Sequence, residues 1–133
     1  MKVALLGQSQ LSNATTSDIA AFSARLNLLT GGSITVLQAA VGGSALVKTA
    51  AQSSMPHNYW LDKDSSASPL YALLQNSLTD LAAVWWVHGE QDANVGISEN
   101  VYAAGLRELQ AIISGAAGYY VPFLVSPLGN ASR

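Results

Sequence analysis

The chain has 133 residues, of which 50% are hydrophobic and 11% charged, with a net charge of −2 and no cysteine. That length suits one compact domain with a sizeable core. The charge balance argues against a nucleic-acid groove or a polybasic membrane patch, and the missing cysteines exclude disulfides and thiolate metal sites.

No apolar run approaches the roughly 20 residues of a membrane span. Met1-Lys2-Val3-Ala4-Leu5-Leu6 is too short for the core of a signal peptide and breaks at once into Gly7-Gln8-Ser9-Gln10. It reads as a buried parallel strand feeding a tight loop. Ser9 then sits beyond a strand's carboxyl end, where open α/β sheets bind ligands. Asn13-Ala14-Thr15-Thr16-Ser17-Asp18 is a capping cluster. Ile19, Phe22, Leu26 and Leu29 recur at helical spacing until Gly31-Gly32.

Ile34-Thr35-Val36-Leu37 is a second β-rich run, leading into Gly42-Gly43-Ser44. Adjacent glycines after a strand let backbone approach a ligand, or simply make the turn. Residues 50 to 68 lack periodicity and read as a long connection, the kind that often forms a functional rim. Within it, Tyr59 and Trp60 suit either a sugar-stacking platform or, as aromatics more often do, a cover on the core edge. A surface position is expected for His57.

Ser68-Pro69 opens a helix whose buried face is marked by Leu70, Leu73, Leu74, Leu78 and Leu81. Ala82-Ala83-Val84-Trp85-Trp86-Val87 is a third strand, ending in the loop His88-Gly89-Glu90-Gln91-Asp92. Ser98-Glu99 starts another helix with Val101, Tyr102, Leu106, Leu109 and Ile113, broken at Gly115 and Gly118. Tyr119 to Val125 is a fourth strand, with Pro122 tolerated near its start or at an edge. This β-α-β-α-β-α-β alternation implies a parallel sheet wrapped by helices with right-handed crossovers.

Parallel strands would aim three unusual loops at one rim: Gly7-Gln8-Ser9-Gln10, Gly42-Gly43-Ser44 and His88-Gly89-Glu90-Gln91-Asp92. Acyl transfer to a serine needs a nucleophile, oxyanion donors and a base. Ser9 suits the first role. Its own N–H, that of Gly43 and a side chain of the third loop suit the second. Glu90 and Asp92 are two residues apart with no second acidic cluster, so hydrogen bonds to loop amides fit them better than glycosidase chemistry. No metal site and no phosphate-binding fingerprint is expected.

These blocks resemble the SGNH-type hydrolases, in the carbohydrate esterase and sialate O-acetylesterase branch. Gly7-Gln8-Ser9-Gln10 is similar to that branch's GQSN block, Gly42-Gly43-Ser44 to its GG(T/S) block, and Trp86-Val87-His88-Gly89-Glu90-Gln91-Asp92 to its W-x-Q-G-E-x-D block. The resemblance runs from residue 1 to about 128. It implies a flavodoxin-like three-layer α/β/α sandwich, with four strands in this chain and the last strand and helix missing from a single, incomplete domain. It implies Ser9 as the nucleophile, Ser9, Gly43, His88 and Gln91 around the oxyanion, and Gln8, Glu90 and Asp92 as ordering residues. No cofactor is implied, and the substrate would be an O-acetylated carbohydrate or another small ester.

The chain departs from the pattern in three places. Gln10 stands where the family has Asn, and His88 where it has Gln. The family's base sits in a later Asp-x-x-His block that these residues lack, so a second polypeptide or further segment would have to carry it. A catalytic use of His88 with Glu90 or Asp92 as its orienter is the alternative, but neighbours in one tight loop seldom reach triad geometry.

Overall fold

Lys2–Gly7 forms β1, an interior strand of the sheet. The structure, a computed structural model, describes residues 2–7, 35–39, 41, 44–88 and 90–126. The expected first helix (Asp18 to Leu29) and Gln8, Ser9, Gln10, Gly42 and Gly43 lie outside the described residues. The other described strands are β2 (Thr35–Gln38), β3 (Leu81–Val87) and β4 (Phe123–Ser126). They join in one sheet of order β2-β1-β3-β4, every pairing parallel. The described helices are α1 (Pro69–Leu74), α2 (Glu90–Val95) and α3 (Glu99–Ala117), with a short 3-10 turn at Lys48–Ala50. The chain is therefore a small α/β domain, a four-stranded parallel sheet flanked by helices.

Strand alternation decides what faces the core. Ala4 and Leu6 of β1 and Val84 and Trp86 of β3 point the same way and join Leu70, Leu73, Leu109 and Ile113 in one cluster. Val3 and Leu5, on the opposite face, are buried as well, as expected of an interior strand in a parallel sheet. A bulge breaks the β1–β3 register: Lys2 pairs with Leu81, but Val3 pairs with Ala83. The extra residue, Ala82, brings Leu81 onto the face of Val84 and Trp86, and Leu81 is fully buried there.

The helix ends follow local chemistry. Ser68 accepts from Tyr71 N at the start of α1, with Pro69 in the first turn. The helix stops at Leu74, shorter than its leucine pattern predicts. The side chains of Gln75 and Asn76 fold back onto the carbonyls of Tyr71, Ala72 and Leu73 and compete with further turns. Leu78 still enters the core from the following turn, and Leu81 belongs to β3.

In α3, Ser98 accepts from Val101 N, and the buried residues Gly105, Leu109, Ile113 and Ala117 recur every four. Gly115 does not break this helix. Only Gly118, at φ 90°, ends it. The fourth strand begins at Phe123 rather than Tyr119. Residues 119–121 are taken by other partners: Tyr119 O–H donates to Leu81 O, and Val121 N donates to Ser114 Oγ at 2.9 Å.

Candidate functional site

Gly7 at the end of β1, Ser44 and His88 after β3, described parts of the three blocks singled out in the sequence, are joined by hydrogen bonds. Gly7 closes β1 at φ 127°, a conformation that disfavours any residue with a Cβ. Its buried carbonyl accepts from Val41 N (3.0 Å), Ser44 Oγ (3.0 Å) and Trp60 Nε1 (3.2 Å). Trp60 Nε1 also lies 3.1 Å from Ser44 Oγ. Trp60 is fully buried and meets Trp86 edge-on, at 5.6 Å between ring centroids. Of its two expected roles, the core role holds, because an indole with no exposed surface offers no stacking platform.

Ser44 links onward to the third block. Its carbonyl lies 2.9 Å from His88 Nε2. A carbonyl only accepts, so Nε2 carries the proton and Nδ1 is the acceptor. Tyr102 O–H fills that role, donating to His88 Nδ1 at 2.8 Å, and Trp86 Nε1 donates to the Tyr102 oxygen at 3.0 Å. The His88 ring is stacked on Trp86, 4.7 Å between centroids. Burial pushes the imidazole's pKa down from 6.5 to about 4, against the opposing pull of the Ser44 carbonyl. His88 is therefore neutral at pH 7, and its 3.8 Å approach to the Asp92 carboxylate is not an ion pair there.

The stretch after His88, expected as a loop, turns into α2 at Glu90. It ends at Gly96, whose φ of 88° closes the turn onto the Asp92 carbonyl. The helix aims Asp92 at the second block's continuation. Its carboxylate accepts from Leu46 N (2.9 Å) and Val47 N (3.3 Å). For Asp92 this is the amide-binding role expected of the acidic pair, although the amides belong to a distant segment rather than to its own loop. Burial raises the Asp92 pKa, and the two amides only partly offset it. Gln91 Nε2 donates to Ala50 O at 2.9 Å.

Of the residues picked out in the sequence, the structure thus ties His88, Gln91 and Asp92 to residues 44–50. Of the side-chain N–H groups expected to face an oxyanion, that of His88 donates to Ser44 O and one of the two on Gln91 donates to Ala50 O. Ser9, Gln8 and Gly43 lie outside the described residues, as does the side chain of Glu90. Sequence reasoning did not find Trp60 and Tyr102 as parts of this network. The first lies in a stretch without periodicity, and the second reads as one more apolar position on a helix.

Two open cavities lie near the network. One of about 220 Å3 is lined by Asp92, Ala93, Ile97, Glu99 and Tyr102. Another of about 330 Å3 is lined by Val41, Met55, Pro56, His57, Asn58 and Ala67. Among the described residues no three His, Asp or Glu side chains converge as metal ligands, and no helix is long and apolar enough to cross a membrane. Set against family models, curated proteins and solved structures, the chain matches none.

Proposed function

We propose that the protein is a serine ester hydrolase of the SGNH type that removes O-acetyl groups from carbohydrate through an acetyl-enzyme on Ser9. In this reading the sheet is the core of a flavodoxin-like sandwich. Ser9 attacks the acetyl carbon, while its own N–H, Gly43 N–H and a donor of the third block hold the oxyanion. The observation that carries the reading is the chain of contacts Gly7–Ser44–His88. Ser44 Oγ donates to Gly7 O, two residues before Ser9, and Ser44 O accepts from His88. Three blocks far apart in sequence are tied at their roots, as a shared pocket requires. The resemblance puts the base on an Asp-x-x-His block in further polypeptide.

Labelling with a fluorophosphonate probe, followed by peptide mapping, tests the reading. Modification of Ser9, lost in Ser9→Ala, together with acetate release from O-acetylated carbohydrate, is the expected result. Absence of labelling at Ser9, even with the polypeptide that carries the base supplied, refutes the nucleophile.

A second reading is a carbohydrate-binding or structural module that kept the frame without the chemistry. The observation in its favour is that both ring nitrogens of His88 are already engaged by Ser44 and Tyr102. Saccharide binding by a chain that never labels at Ser9 would select it.

A further inference from the structure

Among the described residues β4 is the outer strand of the sheet on the side away from β2. Which of its main-chain groups face outward follows from the ladder. Val84 N donates to Pro122 O at 2.9 Å, and Val84 pairs with Phe123. In a parallel ladder this turns the N–H and C=O of Leu124 toward β3. Those of Phe123 and Val125, on either side of it, then point away from the sheet.

Outer strands are commonly blunted by a charge, a proline or a bulge. Within Phe123-Leu124-Val125-Ser126 there is no charge and no proline, and the pairing with β3 runs without a register shift. From Leu109 to Ser132 the sequence holds no Asp, Glu, Lys, Arg or His. Both faces of the strand offer apolar surface: Leu124 is 60% exposed on one, Val125 53% on the other. Phe123 and Val125 line an open groove of about 310 Å3 with Tyr120 and with Leu106 and Arg107 of α3. Tyr120 is 73% exposed yet held in place, because Gln110 Nε2 donates to Tyr120 Oη and to Val121 O, both at 3.0 Å. An aromatic fixed before contact loses little freedom on binding. Arg107 is exposed, so its head can stay in solvent.

A second copy of the same strand meets each of these features. With a two-fold axis through Leu124, antiparallel pairing sets Phe123 opposite Val125 of the other copy, on both sides of the axis. Each such pair exchanges two N–H···O bonds, so every outward group of Phe123 and Val125 is used. Their aromatic and β-branched side chains meet on the groove face, and Leu124 meets its counterpart on the other face. No like charges are brought together along the strands. Tyr120, Leu124 and Val125 together expose well under the roughly 800 Å2 per partner of a standard interface, so the association is weak and depends on concentration.

We propose that β4 is a homodimerisation edge, joining the sheets of two copies into one continuous sheet about a two-fold axis at Leu124. The proposal is independent of the esterase reading and uses none of its residues.

Sedimentation of the wild-type chain from micromolar to near-millimolar concentration should show reversible dimers. Leu124→Lys sets two ammonium groups face to face and should keep the chain monomeric throughout. Its thermal midpoint at low concentration should not change, because the replaced side chain is exposed. The chain has no cysteine, so a single introduced one reports on the register. Opposite residues of a non-hydrogen-bonded antiparallel pair have Cα atoms about 4.5 Å apart, within disulfide reach. Under mild oxidation Leu124→Cys should form covalent dimers roughly 10-fold faster or more than Val95→Cys, which is similarly exposed on α2. If the lysine disturbs the fold, the two cysteine variants decide alone. A wild-type chain that stays monomeric, a folded Leu124→Lys chain that still dimerises, or equal cross-linking of the two cysteines each overturns the proposal.

Discussion

His88 donates its Nε2 proton to the carbonyl of Ser44 across 2.9 Å, although 44 positions separate them in the chain. The bond requires the neutral ring, and that sets the acid behaviour of the protein. With a folded value of about 4 against an ordinary 6.5, the unfolded chain takes the proton first. Stability from this group is full above 6.5, is lost as pH falls toward about 4, and levels off below. At 1.36 kcal/mol per pH unit the loss is roughly 3 kcal/mol. Asp92 acts in the opposite sense, because a raised carboxyl stabilises below its ordinary value and loses that contribution as pH rises through its folded value. Urea unfolding of wild type and His88→Gln across pH 4 to 7 separates the two. The difference between the proteins should slope steeply in this window, and a flat difference would contradict the buried neutral ring.

Asp92→Ala should be more damaging than its position on a short helix suggests. The substitution strands the amides of Leu46 and Val47, the first of them on a fully buried residue. Each unsatisfied buried donor costs about 1–3 kcal/mol. Denaturant midpoints should fall accordingly, and hydrogen exchange at the Leu46 and Val47 amides should accelerate more than exchange in β1.

Trp60→Phe keeps most of the buried ring but removes the N–H shared by Gly7 O and Ser44 Oγ. A loss of about 1–2 kcal/mol is expected, with some further cost from the smaller ring. The urea midpoint should drop with the slope unchanged. A neutral result would mean that the indole nitrogen contributes nothing to the frame.

Two glycines of α3 should respond in opposite directions. A Cβ at Gly115 meets nothing within 4 Å, so Gly115→Ala should stabilise by about 1 kcal/mol through helix propensity. At Gly105 a Cβ would already lie 3.2 Å from Leu46 Cδ2 and Val47 Cγ1. Gly105→Val adds two methyls to that contact and should destabilise by about 1–3 kcal/mol. Thermal midpoints of the two variants check the pair.

Legibility in the sequence tracks how local each signal is. β1 and β3 are continuous apolar runs and emerge nearly whole. Ser68 and Ser98 cap their helices as their spacing predicts. The end of α1 departs from its pattern because Leu78 and Leu81 continue a helical period while serving other elements. Gly115 departs from its expected role because a helix already anchored every fourth residue in the core tolerates one exposed glycine. In the candidate site the third block is legible as a block, but its helix and the reach of Asp92 to Leu46 depend on tertiary placement. The pairing of His57 with Asp62 carries no pattern in a stretch without periodicity.

The inserted Ala82 has a consequence for how β3 can vary. Removing one residue between Asp80 and Val84 would let the ladder run unbroken from Lys2 onward. Leu81 would stay opposite Lys2, but the preceding turn, tied there by the bond from Lys2 N to Asp80 O, would be pulled along the strand. Exchanging one small side chain for another there leaves this geometry alone. Residue count, more than residue identity, is the property that this short passage has to preserve.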